Sequence, residues 1–108
     1  HWMVHSFPTR RSSDLFTEYM DWNRVKPPVV VRSRLPGDRF EPLGLGAAKK
    51  VGKFLTTAKV PRELREHTIV FADQERMLWV CPVRIAEPVR VRDGTQRLLK
   101  LTVSGTGV

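Results

Sequence analysis

Arg32-Ser33-Arg34-Leu35-Pro36-Gly37-Asp38-Arg39-Phe40, then Pro42-Leu43-Gly44, Lys49-Lys50 and Lys59-Val60-Pro61-Arg62-Glu63-Leu64-Arg65, form the stretch on which the reading of this chain turns. It carries the cations Arg32, Arg34, Arg39, Lys49, Lys50, Lys53, Lys59, Arg62 and Arg65, opposed by Asp38, Glu41, Glu63 and Glu66. Residues 32–66 therefore hold +5 of the chain's net +8. Such a surface attracts a phosphate backbone, by Coulomb attraction and by release of the counterions condensed on it. The bland alternative is a solvated helix face, which normally mixes acids with bases. Between Ala47 and Ala58 there are three lysines and no acid.

Local patterns around this stretch give an outline of strands and two short helices. Val29-Val30-Val31 is β-branched and runs into Arg32-Ser33-Arg34, a strand with its arginines on one face. Pro36-Gly37-Asp38 ends it, with Pro pre-setting φ, Gly supplying positive φ and Asp38 capping backbone N–H groups. Gly44 and Gly46 keep the next stretch irregular. A helix is predicted from Ala48 to Ala58, because Val51, Phe54, Leu55 and Ala58 fall on one stripe and Lys49, Lys53, Thr56 and Thr57 face away. Gly52 weakens that helix by about 1 kcal/mol relative to Ala. Pro61 suits the first turn of a second helix ending near Glu66. Thr68 to Ala72 and Met77 to Cys81 flank a polar turn, Asp73-Gln74-Glu75-Arg76, and predict a hairpin. A second hairpin is predicted from Val89–Arg92 through Asp93-Gly94 to Gln96–Val103. Phe16 to Met20 reads as a short strand, and Pro82 and Pro88 as edges or breaks.

Length and composition bound the rest. A chain of 108 residues has room for one domain, and 41% apolar residues suffice for a modest core. No run of eighteen apolar residues exists to span a membrane, and no signal peptide is visible. The single Cys81 excludes an internal disulfide and fits a reducing compartment. His5-Ser6-Phe7-Pro8-Thr9-Arg10-Arg11-Ser12-Ser13-Asp14-Leu15 reads like one translated frame of a sequencing adapter. Residues 1–15 are accordingly set aside as non-native, leaving 16–103 as the domain and 104–108 as a frayed tail.

No catalytic constellation appears. His67 follows the second helix and reads as a partner for its C-terminus, while Cys81 has no companions at metal-ligand spacing and reads as a packed strand thiol. Gly44-Leu45-Gly46-Ala47-Ala48-Lys49-Lys50 lacks the GxxxxGK[ST] spacing of a nucleotide phosphate cradle. Trp22, Phe40 and Trp79 are candidates for stacking on bases, though Trp79 lies in a strand and reads as core. An A-form helix hides its base edges, so this domain would read shape, phosphates and 2′-hydroxyls. Three readings stay open on residues alone: a specific RNA-binding domain, a general RNA- or ribosome-binding module, and a protein-docking domain whose charge serves solubility.

From Glu18 to Val103 the motifs, in order and spacing, resemble the C-terminal domain of the bacterial tRNA(Ile)-lysidine synthetase family. Two departures stand out. Lys50-Val51-Gly52-Lys53 has Val and Gly where the family reads Lys-Leu-Lys, and Val80-Cys81-Pro82-Val83-Arg84-Ile85 lacks the glycine that commonly precedes Arg-Ile. The resemblance implies an α+β fold, a small β-sandwich-like domain with one or two short helices, similar in architecture to a domain of the phenylalanyl-tRNA synthetase β subunit. Enzymes of this family join lysine to C2 of the wobble cytidine of tRNA(Ile), consuming ATP in an N-terminal PP-loop domain. That domain's Ser-Gly-Gly-x-Asp-Ser signature is absent from this sequence. The resemblance thus implies a cytoplasmic, noncatalytic tRNA-binding domain holding the acceptor-stem side of tRNA(Ile). It implies no cofactor or metal within this chain, with ATP and Mg left to the catalytic domain, and the nine cations above as phosphate or ribose contacts.

Overall fold

The computed structural model describes residues 4–7 and 15–104. In chain order its strands are β1 (Val4–Phe7), β2 (Leu15–Asp21), β3 (Val30–Ser33), β4 (Arg39–Phe40), β5 (Lys49–Lys50), β6 (Ile69–Ala72), β7 (Met77–Cys81), β8 (Arg84–Ile85) and β9 (Leu98–Ser104). Helices α1 (Val51–Thr57) and α2 (Arg62–Glu66) lie between β5 and β6, and short 3-10 turns span Trp22–Arg24 and Glu87–Val89. The chain divides into two compact units: one from residues up to Val25 and from Val89 onward, the other from Lys26–Pro88. The mixed architecture, mostly antiparallel sheets with two short helices, agrees with the α+β expectation.

In the terminal unit β9 is the middle strand, in the order β1-β9-β2. It runs antiparallel to β2 from Leu98↔Asp21 to Ser104↔Leu15, and parallel to β1. Side chains alternate across a strand, and β9 follows that period: Leu99, Leu101 and Val103 are buried while Lys100 and Thr102 are half-exposed. The buried Asp21 carboxylate caps the first 3-10 turn by accepting from the Asn23 amide at 3.0 Å and from the Thr95 hydroxyl at 3.1 Å. Of the segment set aside in the sequence, Val4–Phe7 lie along β9 and Leu15 opens β2, while residues 8–14 lie outside the described residues. In the expected frayed tail, Ser104 ends β9 and residues 105–108 lie outside the described residues.

The second predicted hairpin does not form. Its Asp93-Gly94 turn exists, with the Thr95 amide donating to the Arg92 carbonyl at 3.0 Å. Val89–Arg92 is not a strand, however, because the Thr95 hydroxyl takes the Arg92 amide at 2.8 Å and β9 pairs with β2 instead.

In the central unit the sheet order is β3-β6-β7-β8. All five residues of β7 are buried, as expected of a central strand written as an unbroken apolar run. Trp79 stacks on Phe71 across the β6–β7 pair, with centroids 5.0 Å apart. The predicted hairpin is present, and its turn is ordered by Asp73. One carboxylate oxygen accepts from the amides of Glu75 and Arg76 at 2.8 and 2.9 Å, and the other from Lys26 at 2.7 Å. A separate ribbon pairs β4 with β5. Behind it Phe40 meets Phe54 of α1 edge to face at 5.3 Å, and Val51, Phe54 and Leu55 form the buried stripe of that helix. Each such side chain removed from water stabilises by roughly 1.5–3 kcal/mol. No helix among the described residues is long and apolar enough to cross a membrane.

Candidate nucleic-acid interface

The turn at Pro36-Gly37-Asp38 builds the site. Gly37 sits at φ 89°, a left-handed conformation that a side chain disfavours. The Asp38 amide donates to the Leu35 carbonyl at 3.1 Å, and the Leu35 amide returns a 2.7 Å bond to the Asp38 carboxylate. Arg32 clasps the same carboxylate with both terminal nitrogens, at 2.9 and 3.1 Å, the forked pairing that suits guanidinium and carboxylate. This hydrogen-bonded clasp holds the Asp38 carboxyl below the usual carboxylate range, helped by the Leu35 amide and the positive charge of Arg34 against the opposing effect of burial. The Asp38 carbonyl then accepts the Val51 amide at 2.8 Å, tying the turn to the start of α1. Asp38 thus orders the turn, as expected, and Arg32 is engaged inside the chain.

The clasp fixes the β4–β5 ribbon, in which Arg39 is the register partner of Lys50 and Phe40 of Lys49. The helix therefore starts later than predicted, at Val51 rather than Ala48. Lys49 and Lys50 are ribbon residues, and only Lys53 rides on the helix. The reason is that the ladder to β4 holds residues 49–50 extended and Asp38 takes the first helical amide. Arg39, Lys49, Lys50 and Lys53, with Ala48, line one open cup of about 310 Å³. All four cations are exposed, and none pairs with the carboxylates of Asp38, Glu66 or Glu75, which are held by Arg32, Arg62 and Arg76.

A second cleft of about 460 Å³ is lined by Ser33, Arg34, Arg65, Glu66 and Thr68 together with Leu35 and Pro36. Arg65 is steered by the Thr56 hydroxyl, which accepts from its Nη1 at 3.1 Å while donating to the Gly52 carbonyl. Arg34 passes beside position 52, where an added Cβ would lie 3.5 Å from its Nη1. The two remaining candidates line neither cleft. Lys59 holds φ 59° in the cap of α1, where the Lys59 and Val60 amides close onto the carbonyls of Thr56 and Leu55. Arg62 makes an exposed pair with Glu66 at 3.4 Å.

Other candidates resolve differently. Phe40 and Trp79 are buried, so neither can stack on a base, and Trp22 is half-buried. His67 donates from Nδ1 to the Glu63 carbonyl at 2.8 Å, at the end of α2. Cys81 is buried, and no cluster of His, Cys, Asp or Glu suited to a metal ion occurs among the described residues. The Gly44 amide is given to the Glu87 carboxylate at 2.9 Å, so this loop does not fit a nucleotide phosphate. Sequence reasoning passed over Arg84. Its guanidinium lies 5.2 Å from the centroid of Phe54 and bonds the Leu43 carbonyl at 3.4 Å, bracing that ring. Only its place in the quoted Val80–Ile85 motif signalled it.

Known proteins share both the sequence pattern and the fold. The pattern of the TilS substrate C-terminal domain matches residues 29–101. A tRNA(Ile)-lysidine synthase of Caldanaerobacter subterraneus subsp. tengcongensis is 34% identical over 84 residues, covering 78% of this chain and 18% of that protein. The enzyme of the same name in Geobacter sulfurreducens is 36% identical over 78 residues, covering 72% of this chain and 17% of that protein. The chain thus spans about a fifth of the length of these relatives. A crystal structure of a TilS C-terminal domain superposes with a TM-score of 0.62 at 28% identity, covering 93% of this chain and 77% of that one. An N-terminal fragment of the phenylalanyl-tRNA synthetase β subunit from Pyrococcus horikoshii gives a TM-score of 0.69 at 21% identity, covering 92% of this chain and 30% of that one, a likeness of fold.

Proposed function

This chain belongs to the TilS substrate C-terminal domain family, and from that premise we propose that it is the noncatalytic tRNA-binding domain of a cytoplasmic, ATP-dependent tRNA(Ile)-lysidine synthetase. In this reading the domain grips tRNA(Ile) on its acceptor-stem side. A PP-loop domain elsewhere in the parent enzyme, with its ATP and Mg, joins lysine to C2 of the wobble cytidine. The observation that carries the reading is the cup of Arg39, Lys49, Lys50 and Lys53, four exposed cations with no acid in its lining. Charge of one sign gathered in one hollow is costly without a polyanion to neutralise it, and phosphates meet that need. Arg34 and Arg65 extend the surface through the second cleft. Arg32 serves by ordering the turn, through Asp38, rather than by touching RNA.

The test is binding of the chain to tRNA(Ile) and to an unrelated RNA hairpin at two salt concentrations. Preference for the tRNA with a steep salt dependence is the expected result, and equal affinity for both RNAs would replace this reading with a general RNA-binding module. A second reading has one observation in its favour: Val30, Val31 and Leu35 are exposed, as on a surface that docks onto protein. Binding to neither RNA at physiological salt would support that second reading.

A further inference from the structure

We infer that Thr56 is a positioning residue for RNA binding. Its hydroxyl holds the Arg65 guanidinium over the face of α1 that Arg34 crosses at Gly52, so that two arginines from distant segments take successive phosphates of one RNA strand. The inference rests on the RNA-binding reading above and refines it. Gly52 and Thr56 are four residues apart and share one face of α1, beside the buried stripe of Val51, Phe54 and Leu55. Nη1 of Arg34 lies 3.5 Å from the place a Cβ would take at residue 52, and a longer side chain there would claim its space. The Thr56 hydroxyl donates to the Gly52 carbonyl at 3.1 Å and accepts from Nη1 of Arg65 at 3.1 Å. Two guanidinium groups, one from the residue after β3 and one from α2, therefore meet the same helix face at points one turn, about 5.4 Å, apart. Both residues line the second cleft.

The chemistry of the hydroxyl suits this task. A threonine side chain has one hydrogen to give and lone pairs to receive. Here the hydrogen goes to the Gly52 carbonyl, which turns a lone pair toward Arg65 and fixes its direction of approach. A neutral acceptor orients the guanidinium and leaves its charge for an outside anion, whereas a carboxylate in the same place would neutralise it. The nearby acids are held elsewhere. Glu66, which lines the cleft, pairs with Arg62 at 3.4 Å, and the Asp38 carboxylate takes Arg32 and the Leu35 amide. Nε of Arg65 is enclosed and meets no acceptor among the described residues, a cost that an arginine swung out into water would avoid. The fold's stability therefore does not explain the placement; what it achieves is a second fixed guanidinium beside Arg34. Guanidinium groups fork onto phosphate oxygens, and two of them held one turn apart suit consecutive charges along a strand.

The experiment measures binding of the full chain to tRNA(Ile) by fluorescence anisotropy over a series of salt concentrations, with urea unfolding run in parallel. Thr56→Val keeps the β-branched shape at an exposed position and removes the acceptor. It is expected to weaken binding about five- to eightfold at 0.1 M salt and to lower the slope of log K against log salt by about 0.7–0.9, the share of one phosphate contact. Thr56→Ser, which keeps the hydroxyl, should bind as the unsubstituted chain does. Arg65→Met should weaken binding by at least the same factor, and adding Thr56→Val to it should change nothing further, since Thr56 acts through Arg65. If Thr56→Val lowers the urea midpoint but leaves affinity and slope unchanged, the bond only ties α1 to α2, and the inference is overturned with RNA binding left standing. Additive losses in the double variant, or a Thr56→Ser variant as weak as Thr56→Val, would overturn it as well. Failure of the unsubstituted chain to bind tRNA(Ile) would overturn the RNA-binding reading and the inference with it.

Discussion

Replacing Asp38 with Asn should weaken RNA binding although it raises the net charge from +8 to +9. Arg32 clasps Asp38 at 2.9 and 3.1 Å, with side-chain exposures of 34% and 12%. Hydrogen bonds to charged groups contribute about 1.5–3 kcal/mol when shielded, and exposed ion pairs about 0.2–1 kcal/mol. This pair is intermediate, so Asp38→Asn should cost about 1–2 kcal/mol, with the Leu35 amide still able to bond the Asn oxygen. With an m-value of about 1–3 kcal/mol/M in urea, the midpoint should fall by roughly 1 M. The assay is urea unfolding followed by fluorescence, Trp79 lying in the same unit as the clasp.

The pH dependence has a definite sign. Asp38 is depressed in the folded protein, so its contribution is present above the unfolded carboxylate pKa of about 3.9 and is lost as pH falls through the folded value. Arg32→Met should cost a similar amount, and the double variant should show coupling of about 1 kcal/mol. For RNA binding, Arg32→Met and Asp38→Asn should both reduce affinity, because each loosens the turn that sets Arg39 against Lys50. If Arg32 instead contacts phosphate directly, Arg32→Met weakens binding and Asp38→Asn strengthens it. Opposite signs would refute the positioning role.

Lys49→Ala/Lys53→Ala should lower affinity for tRNA(Ile) and flatten the slope of log K against log salt by about 1.4–1.8, at roughly 0.7–0.9 for each phosphate no longer neutralised, and an unchanged slope would show that these lysines touch no RNA. Lys59→Gly should raise the urea midpoint, since relief of the left-handed conformation at φ 59° outweighs the extra chain entropy of glycine by a few tenths to about 1 kcal/mol; a lower midpoint would refute the strain assigned there. Trp79→Ala should destabilise by about 3–5 kcal/mol, judged by loss of cooperative unfolding, because it empties a fully buried site stacked on Phe71.

Much of the local structure was legible in the residues. The Asp73 hairpin, the strand from Val30, the turn at Pro36-Gly37-Asp38 and the buried stripe of α1 all rest on short-range causes: side-chain period, proline and glycine geometry, and a carboxylate near free amides. The candidate site was legible as charge and less so as arrangement. Lys49 and Lys53 share the cup, as a basic helix face would have placed them, but Lys49 reaches it from a ribbon. Arg34 and Arg65, far apart in sequence, line one cleft, while Lys59 and Arg62 line neither.

Long-range pairing was not legible. The Asp93-Gly94 turn was legible but the hairpin drawn from it does not form, because β9 pairs with β2, some eighty residues earlier in the chain. Arg32 had the same sequence credentials as Arg39, yet one is held by Asp38 and the other is exposed. By itself the sequence determined conformation, face and the sign of the surface charge, because these depend on neighbours within a turn or two. Only the tertiary structure decided which strand pairs with which, and which cations are left for an outside anion. Those outcomes follow from competition between distant segments for the same hydrogen bonds and the same carboxylates.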